Sequence, residues 1–442
     1  MERIIYGDLL KWKNDVDRKP LLLEGVRQCG KTYILKEFGK REYEDTAYFT
    51  FERKPKVYEI FRDDLDPRRI VDELGGMRNK KIEPGKTLII LDEIQSCGAA
   101  LTSLKFFCEE VPEYHIACAG SLLGVMTAKP HAFPVGKVDR IRMYPMNFAE
   151  FLRANSEDYT IEHISKDPSK DPSPPLADRL INYLDQYFLT GGLPAAVASW
   201  IKDRDVEKVD AVLDGIIRDY ENDFSKHAAE HLAKLTLIWE SIPMQLAKEN
   251  KKFMFGHAKR GARSKDLEDA LQWLINAGLA HKVKKVEQPT MPLPMFVDNM
   301  NFKIYLADVG ILRRMSDIPS DFVFSRDKEY AAYRGAAAEN YVLNELIAYN
   351  GSVPYYWRSE GEAEIDFVAQ VGRTVVPIEV KAGTHKSKSL AEYIKKYDPK
   401  VSVITSPREN KSDAVVYVPL YLMWKFRDRI ISMAEKQQSL RE

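Results

Sequence analysis

The stretch PLLLEGVRQCGKTYILKEFGK, residues 20–40, joins an apolar run to a glycine-bounded loop and then to a helical pattern. Leu21 to Leu23 read as a buried strand, and KTYILKEFGK as the helix that follows. Between them GVRQCGKT, Gly25 to Thr32, has eight-position spacing with a mechanical reason. Gly25 and Gly30 let backbone N–H groups curl around phosphate oxygens, and the helix adds about half a positive charge at its N-terminus. Lys31 is expected to reach the outer phosphates of a nucleotide, with the Thr32 hydroxyl offered to magnesium. Cys29 is expected as a small residue fitting the loop rather than as a redox thiol.

Working outward, TAYFTFE (46–52), TLIILDEI (87–94) and HIACAGS (115–121) are further short apolar runs, separated by helical segments such as LTSLKFFCEEV. Strands alternating with helices imply a parallel sheet covered on both faces. The run LIILDE ends in Asp92 and Glu93. At the carboxyl end of a strand, Asp92 is placed to hold magnesium through its water shell and Glu93 to orient or deprotonate an attacking water.

The whole chain has 442 residues, 45% hydrophobic and 30% charged, with 66 basic residues balancing 66 acidic ones. That length suggests roughly three domains. The charge balance excludes a global field toward nucleic acid or an anionic membrane, so any such contact must be local. No apolar run has the length of a signal peptide or a bilayer span, so a cytoplasmic protein is expected. Four cysteines without close paired spacing argue against disulfides or a zinc site.

With these residues in hand, the first 225 positions resemble the AAA+ class of P-loop ATPases, and more narrowly the bacterial and archaeal STAND-related group. The matching features are the loop with Arg27, the strand-end AGS, RIRMYPMNFAEFL (140–152) and GGLP (191–194). The resemblance implies ATP and Mg2+ as ligands and an ATPase core over 1–155. It implies a helical lid over 156–227, Ser121 as a sensor, and Pro194, after Gly192 and Leu193, close to the nucleotide. Arg140 and Arg142 are the arginine-finger candidates.

From 228 to 289, two helical stretches, then SKDLEDALQWLINAG and the strand-like LAHKVKKV, suggest a winged helix. Between Lys248 and Lys285, basic residues at 248, 251, 252, 259, 260, 263, 265, 282, 284 and 285 outnumber four acids. Such a module suits a DNA backbone or a protein partner. HAAEH (227–231) puts His227 and His231 four apart with Glu230 between, the order of an inverted zinc-protease motif. Two ligands do not make a site, so a surface helix start is expected.

The last region, 290–442, opens with the proline-rich EQPTMPLPMFVDN. It includes a long amphipathic helix, YRGAAAENYVLNELIAYNG, carrying Glu339, and the hairpin EAEIDFVAQVGRTVVPIEVK (362–381). A two-residue turn at Gly372 and Arg373 would set Asp366 opposite Glu379 and Glu364 opposite Lys381, all four on one face. Like charges about 4 Å apart repel by roughly 4 kcal/mol at an effective dielectric constant near 20, which a divalent cation would reverse. This constellation resembles the PD-(D/E)xK nuclease superfamily. The resemblance implies Glu339, Asp366 and Glu379 as ligands of a second divalent cation, with Asp366, Glu379 and Lys381 catalytic. A cross-strand ion pair on a structural hairpin is the plain alternative.

The expected fold is thus α/β: a P-loop AAA+ parallel sheet, a helical lid, a winged helix and a restriction-endonuclease-like C-terminal domain. The expected function is ATP binding and hydrolysis controlling a nuclease-like domain that acts on or binds DNA or RNA. The alternative is a nucleotide-controlled interaction switch with a catalytically silent C-terminal domain.

Overall fold

The structure is a computed structural model that describes residues 3–52, 55–120, 134–167, 169–227, 231–248, 250–319, 330–381, 387–407 and 415–439. The chain forms two compact units, Met1–Tyr144 with Asn276–Gly278, and Pro145–Ile275 with Leu279–Glu442.

The first unit is built on β1 (Leu21–Glu24), β2 (Asp45–Thr50), β3 (Thr87–Asp92), β4 (His115–Gly120) and β5 (Asp139–Arg142). They form one sheet in the order β2-β3-β4-β1-β5, every neighbouring pair parallel. Parallel neighbours need crossover helices, so both faces are covered and the central strands can be apolar throughout. Leu21 to Leu23 and Leu88 to Leu91 are accordingly buried. Leu22, Phe49, Ile89, Leu91 and Ile116 contribute to one core beneath the helices Pro67–Arg78 and Gly98–Glu110. Because β4 lies between β1 and β3, three strand ends stand side by side, with Glu24 aligned with Gly120 and Asp92 with Ala119.

The second unit begins with helices Phe148–Ala154, Asp158–Ser165, Pro174–Thr190, Pro194–Asp203 and Val206–His227. The first of these starts with a complete capping box, Asn147 accepting from Glu150 N–H and Glu150 from Asn147 N–H. Helices Leu232–Leu246, Phe255–Ala258 and Ser264–Asn276 follow. Among the described residues no helix is long and apolar enough to cross a membrane.

The remaining strands are β6 (Ala280–Val286), β7 (Val297–Leu306), β8 (Tyr355–Arg358), β9 (Glu364–Val371), β10 (Thr374–Val380), β11 (Val403–Ser406) and β12 (Val416–Pro419). They form one mixed sheet, β12-β11-β10-β9-β8-β6-β7. The strand read as a wing, β6, pairs antiparallel with β7 and parallel with β8 at Lys285 and Tyr356, so it belongs to the C-terminal sheet. The proline-rich connector is the β6–β7 connection, and boundaries expected at 227/228 and 289/290 fall inside one unit. Alternation in HKVKKV specifies a half-buried strand but carries no information about a partner 70 residues away.

The β9–β10 hairpin turns at Gly372, whose φ of 58° suits the first turn position. Its register follows the expected pairing from Val371↔Thr374 to Phe367↔Ile378. Beyond that the strands part: Val380 N–H donates to the Asp366 carboxylate, Oδ2, at 2.8 Å. Asp366 and Glu379 are therefore not a ladder pair.

Candidate nucleotide site and acidic cluster

At the end of β1 the chain turns through Gly25 (φ 153°), Gln28 (φ 65°) and Gly30 (φ 101°). A Cβ on Gly25 would lie 2.2 Å from Met143 O, so only glycine fits. Left-handed residues in such a loop make an anion-binding concavity, here opening the helix Lys31–Glu42. Lys31 is buried and donates to Gly25 O and Val26 O, both at 2.9 Å. Cys29 is fully buried in the loop.

Thr32 Oγ1 lies 2.9 Å from Asp92 Oδ2 and 3.1 Å from Oδ1. Tyr48 OH, from β2, donates to the same Oδ2 at 2.8 Å. A hydroxyl and a carboxylate together form a hard oxygen set, so these residues fit magnesium. Glu93 follows in left-handed backbone, φ 54°, and Gln95 Nε2 donates to its carboxylate. Burial pushes the Glu93 carboxyl above its ordinary range, and neighbouring Asp92 adds to that against Gln95, Lys31 and Arg27. Raised basicity suits a proton acceptor. Arg140 Nε, 2.6 Å from Glu24 Oε1, and Arg142, 3.7 Å from Oε2, are engaged within their own chain.

Pro194 belongs to the second unit, where it opens the helix Pro194–Asp203. The turn before it is held on three sides. Gly192 N–H donates to Asp308 Oδ2 at 2.7 Å, Met146 N–H to Gly192 O at 2.6 Å, and Tyr187 OH to Met146 O at 2.6 Å. Phe148 N–H donates to Glu345 Oε1 at 2.7 Å, and burial pushes that carboxyl up to about 8. Ser121 and Glu230 lie outside the described residues.

A second constellation stands in the C-terminal sheet. Glu339 comes from the helix Ala331–Asn350, Glu364 and Asp366 from β9, and Glu379 from β10, with Lys381 next but one. The structure adds three residues not expected there: Lys251 from the irregular stretch before the helix Phe255–Ala258, and Lys303 and Tyr305 from β7. Lys251 Nζ pairs with Glu339 Oε1, and Tyr305 OH donates to Oε2 at 3.0 Å. Lys303 Nζ lies 2.5 Å from Glu364 Oε1, replacing the expected pairing of Glu364 with Lys381. Lys381 Nζ donates instead to Glu379 Oε1 at 2.6 Å, as does Ser387 Oγ at 3.0 Å.

Charge states follow these contacts. Burial, with Glu339 and Glu379 nearby, holds the Asp366 carboxyl well above its ordinary range. Burial opposes ionisation of Glu339 too, yet Lys251 and Lys303 keep it below the usual value. Among the described residues no three His, Cys, Asp or Glu side chains are grouped to hold a metal ion. The expected second divalent cation on Glu339, Asp366 and Glu379 does not fit this arrangement, because ammonium groups stand where its charge would be.

Residues 17–152 match the family model described as an AAA domain. Residues 181–321 and 334–423 match two families described as domains of unknown function, DUF8612 and DUF4143. Uncharacterized proteins of Mycobacterium tuberculosis and Mycobacterium bovis are each 31% identical over 123 residues, 26% of this chain and 27% of theirs. The chain thus spans about a quarter of the length of the curated relatives it matches. Among solved structures it is similar to the Walker-type ATPase of Pyrococcus abyssi, with TM-score 0.45 and 13% identity over 71% of this chain and 95% of that one. It is also similar to a STAND protein with a tetratricopeptide repeat sensor from Pyrococcus horikoshii, with TM-score 0.28 and 13% identity over 77% and 46%. The family match, rather than these likenesses, carries the assignment.

Within the AAA domain, sequence reasoning reached the loop and the acidic strand end but not Tyr48 or Gln95. Gln95 stands three residues after Asp92, and nothing in its spacing marks it. At the acidic cluster, Lys303 left a trace as the one charge inside the apolar run FKIYL. Lys251 left none, since it sits in a basic stretch that reads as solvated.

Proposed function

We propose that the chain binds and hydrolyses ATP and that its nucleotide state sets the conformation of the C-terminal fold, which acts by binding a partner. The observation that carries the first part is the Thr32–Asp92 contact beside Lys31, made beyond the ends of β1 and β3, the two strands that flank β4. In this reading Lys31 exchanges the carbonyls of Gly25 and Val26 for phosphate oxygens. Thr32 and Asp92 would hold magnesium, which supplies neutralising charge at the phosphates. Glu93, kept in place by Gln95, accepts the proton of the attacking water. Phosphate release from ATP by the full chain tests this, with Lys31→Ala expected to abolish nucleotide binding. Equal turnover in both proteins refutes it.

The binding role of the C-terminal fold is supported by the lysines that engage Glu339, Glu364 and Glu379. Exposed Lys259, Arg260, Arg263 and Lys265 favour a polyanionic partner such as DNA or RNA. A second reading, metal-dependent cleavage, would require the lysines to give way to a metal ion, and what favours it is the unpartnered, buried Glu379 Oε2. Incubation with magnesium or manganese, ATP and a panel of nucleic acids separates them. Nicking lost in Asp366→Ala with ATP turnover intact supports cleavage; binding without nicking supports the switch.

A further inference from the structure

The two carboxylate oxygens of Asp92 are held by different elements. Oδ1 accepts from Glu93 N–H at 3.1 Å, Oδ2 accepts from Tyr48 OH at 2.8 Å, and Thr32 Oγ1 stands within reach of both. An ionised carboxylate offers about four lone-pair sites. The Glu93 amide, the Tyr48 hydroxyl and the Thr32 hydroxyl each take one, which leaves room for a single further contact.

The sheet explains why a tyrosine from another strand arrives here. β2 and β3 run parallel with Thr50 aligned to Asp92, and Tyr48, two positions earlier, lies on the same face as Thr50. The helix Lys31–Glu42 packs against both strands. Thr32 and Lys36 are four residues apart on it and so share one side of the helix. Lys36 Nζ stands 3.5 Å from the centre of the Tyr48 ring, a cation over an aromatic face. The helix that follows the phosphate loop therefore touches this pair twice, at the carboxylate through Thr32 and at the phenol ring through Lys36.

We propose that Tyr48, backed by Lys36, is a positioning residue that restricts Asp92 to one free ligand position and so makes the nucleotide site selective for magnesium over calcium. Magnesium demands near-octahedral geometry and keeps several waters, whereas calcium tolerates variable geometry and accepts a carboxylate through both oxygens. With Oδ2 capped by Tyr48, Asp92 serves the first mode and refuses the second. The inference rests on the reading of Thr32 and Asp92 as the residues that hold magnesium, and adds the device that chooses the ion.

The test is the affinity of the full chain for a slowly hydrolysed fluorescent ATP analogue, measured with magnesium, with calcium and with a chelator. In the unsubstituted chain, magnesium should strengthen binding more than calcium does. Tyr48→Phe keeps the ring and removes the hydroxyl; it should lower the preference for magnesium over calcium by about tenfold and leave the affinity in chelator unchanged. A tyrosine that merely supports the fold would weaken all three affinities together. That result, or an unchanged preference, overturns the proposal. Lys36→Met should shift the preference in the same direction, and it decides if Tyr48→Phe does not fold, a preference equal to that of the unsubstituted chain being the refuting result. An unsubstituted chain that responds equally to the two cations overturns this proposal alone. One whose nucleotide binding ignores both overturns the magnesium reading as well.

Discussion

Glu93 occupies left-handed backbone that a non-glycine residue adopts at a cost on the order of 1–3 kcal/mol, and such strain persists where surrounding structure over-determines it. Here that structure is the Gln95 amide on one side and β3 on the other. Glu93→Gln keeps the shape and removes the proton acceptor. ATP should still bind, measured with a fluorescent analogue, while hydrolysis falls by about 10²–10⁴-fold. A second residue-scale prediction concerns Glu345. Its carboxyl is raised from 4.5 to about 8 by burial, so the folded state keeps a proton that the unfolded state releases. Stability must therefore fall as pH rises from about 4.5 to 8. Glu345→Gln keeps the acceptor for Phe148 N–H and removes that term. Its melting temperature should match the parent near pH 4 and exceed it at pH 8, where the gain in unfolding free energy is on the order of a few kcal/mol. Parallel pH profiles would refute this account.

At the scale of elements, the turn Gly191–Pro194 needs glycine twice, Gly191 for its φ of 66° and Gly192 for packing. A Cβ on Gly192 would lie 2.0 Å from Met146 O, which is backbone and cannot give way cheaply. Gly192→Ala should lower the unfolding free energy by at least about 2 kcal/mol in chemical denaturation. The elements were largely legible where local signals suffice. The phosphate loop, the strand LIILDE and the Gly372 turn each carry their geometry in neighbouring residues. The register of β9 and β10 followed from that turn as far as Phe367 and Ile378. It failed at Asp366, whose own carboxylate takes the Val380 N–H in place of a ladder partner.

For the molecule as a whole, the order of strands in the seven-stranded sheet was not legible. Its β6–β7 end meets the rest of the sheet where β6 lies beside β8, across the long interval from Val286 to Tyr355. Val286 packs in one core with Trp357 and Ile365. A fragment ending at residue 321 therefore exposes one edge of β6 and the underside of that core. It should be recovered as aggregate or bind a hydrophobic dye strongly, whereas the full chain should not. A soluble, cooperatively unfolding fragment would contradict the sheet order. The acidic cluster was half legible for the same reason. Its acids lie in one hairpin and one helix, but its lysines arrive from positions 251 and 303, and no local pattern announces a contact made at such separation.

The segment from Lys303 to Asp308 touches the acid cluster at its start and the Gly192 amide at its end. Lys303 to Leu306 is strand, at about 3.3 Å per residue roughly 10 Å long, and a bend at Ala307 leads on to Asp308. Neither end is loose: Asp308 grips the glycine turn and Lys303 pairs with Glu364, so one short length of backbone ties that turn to the carboxylates.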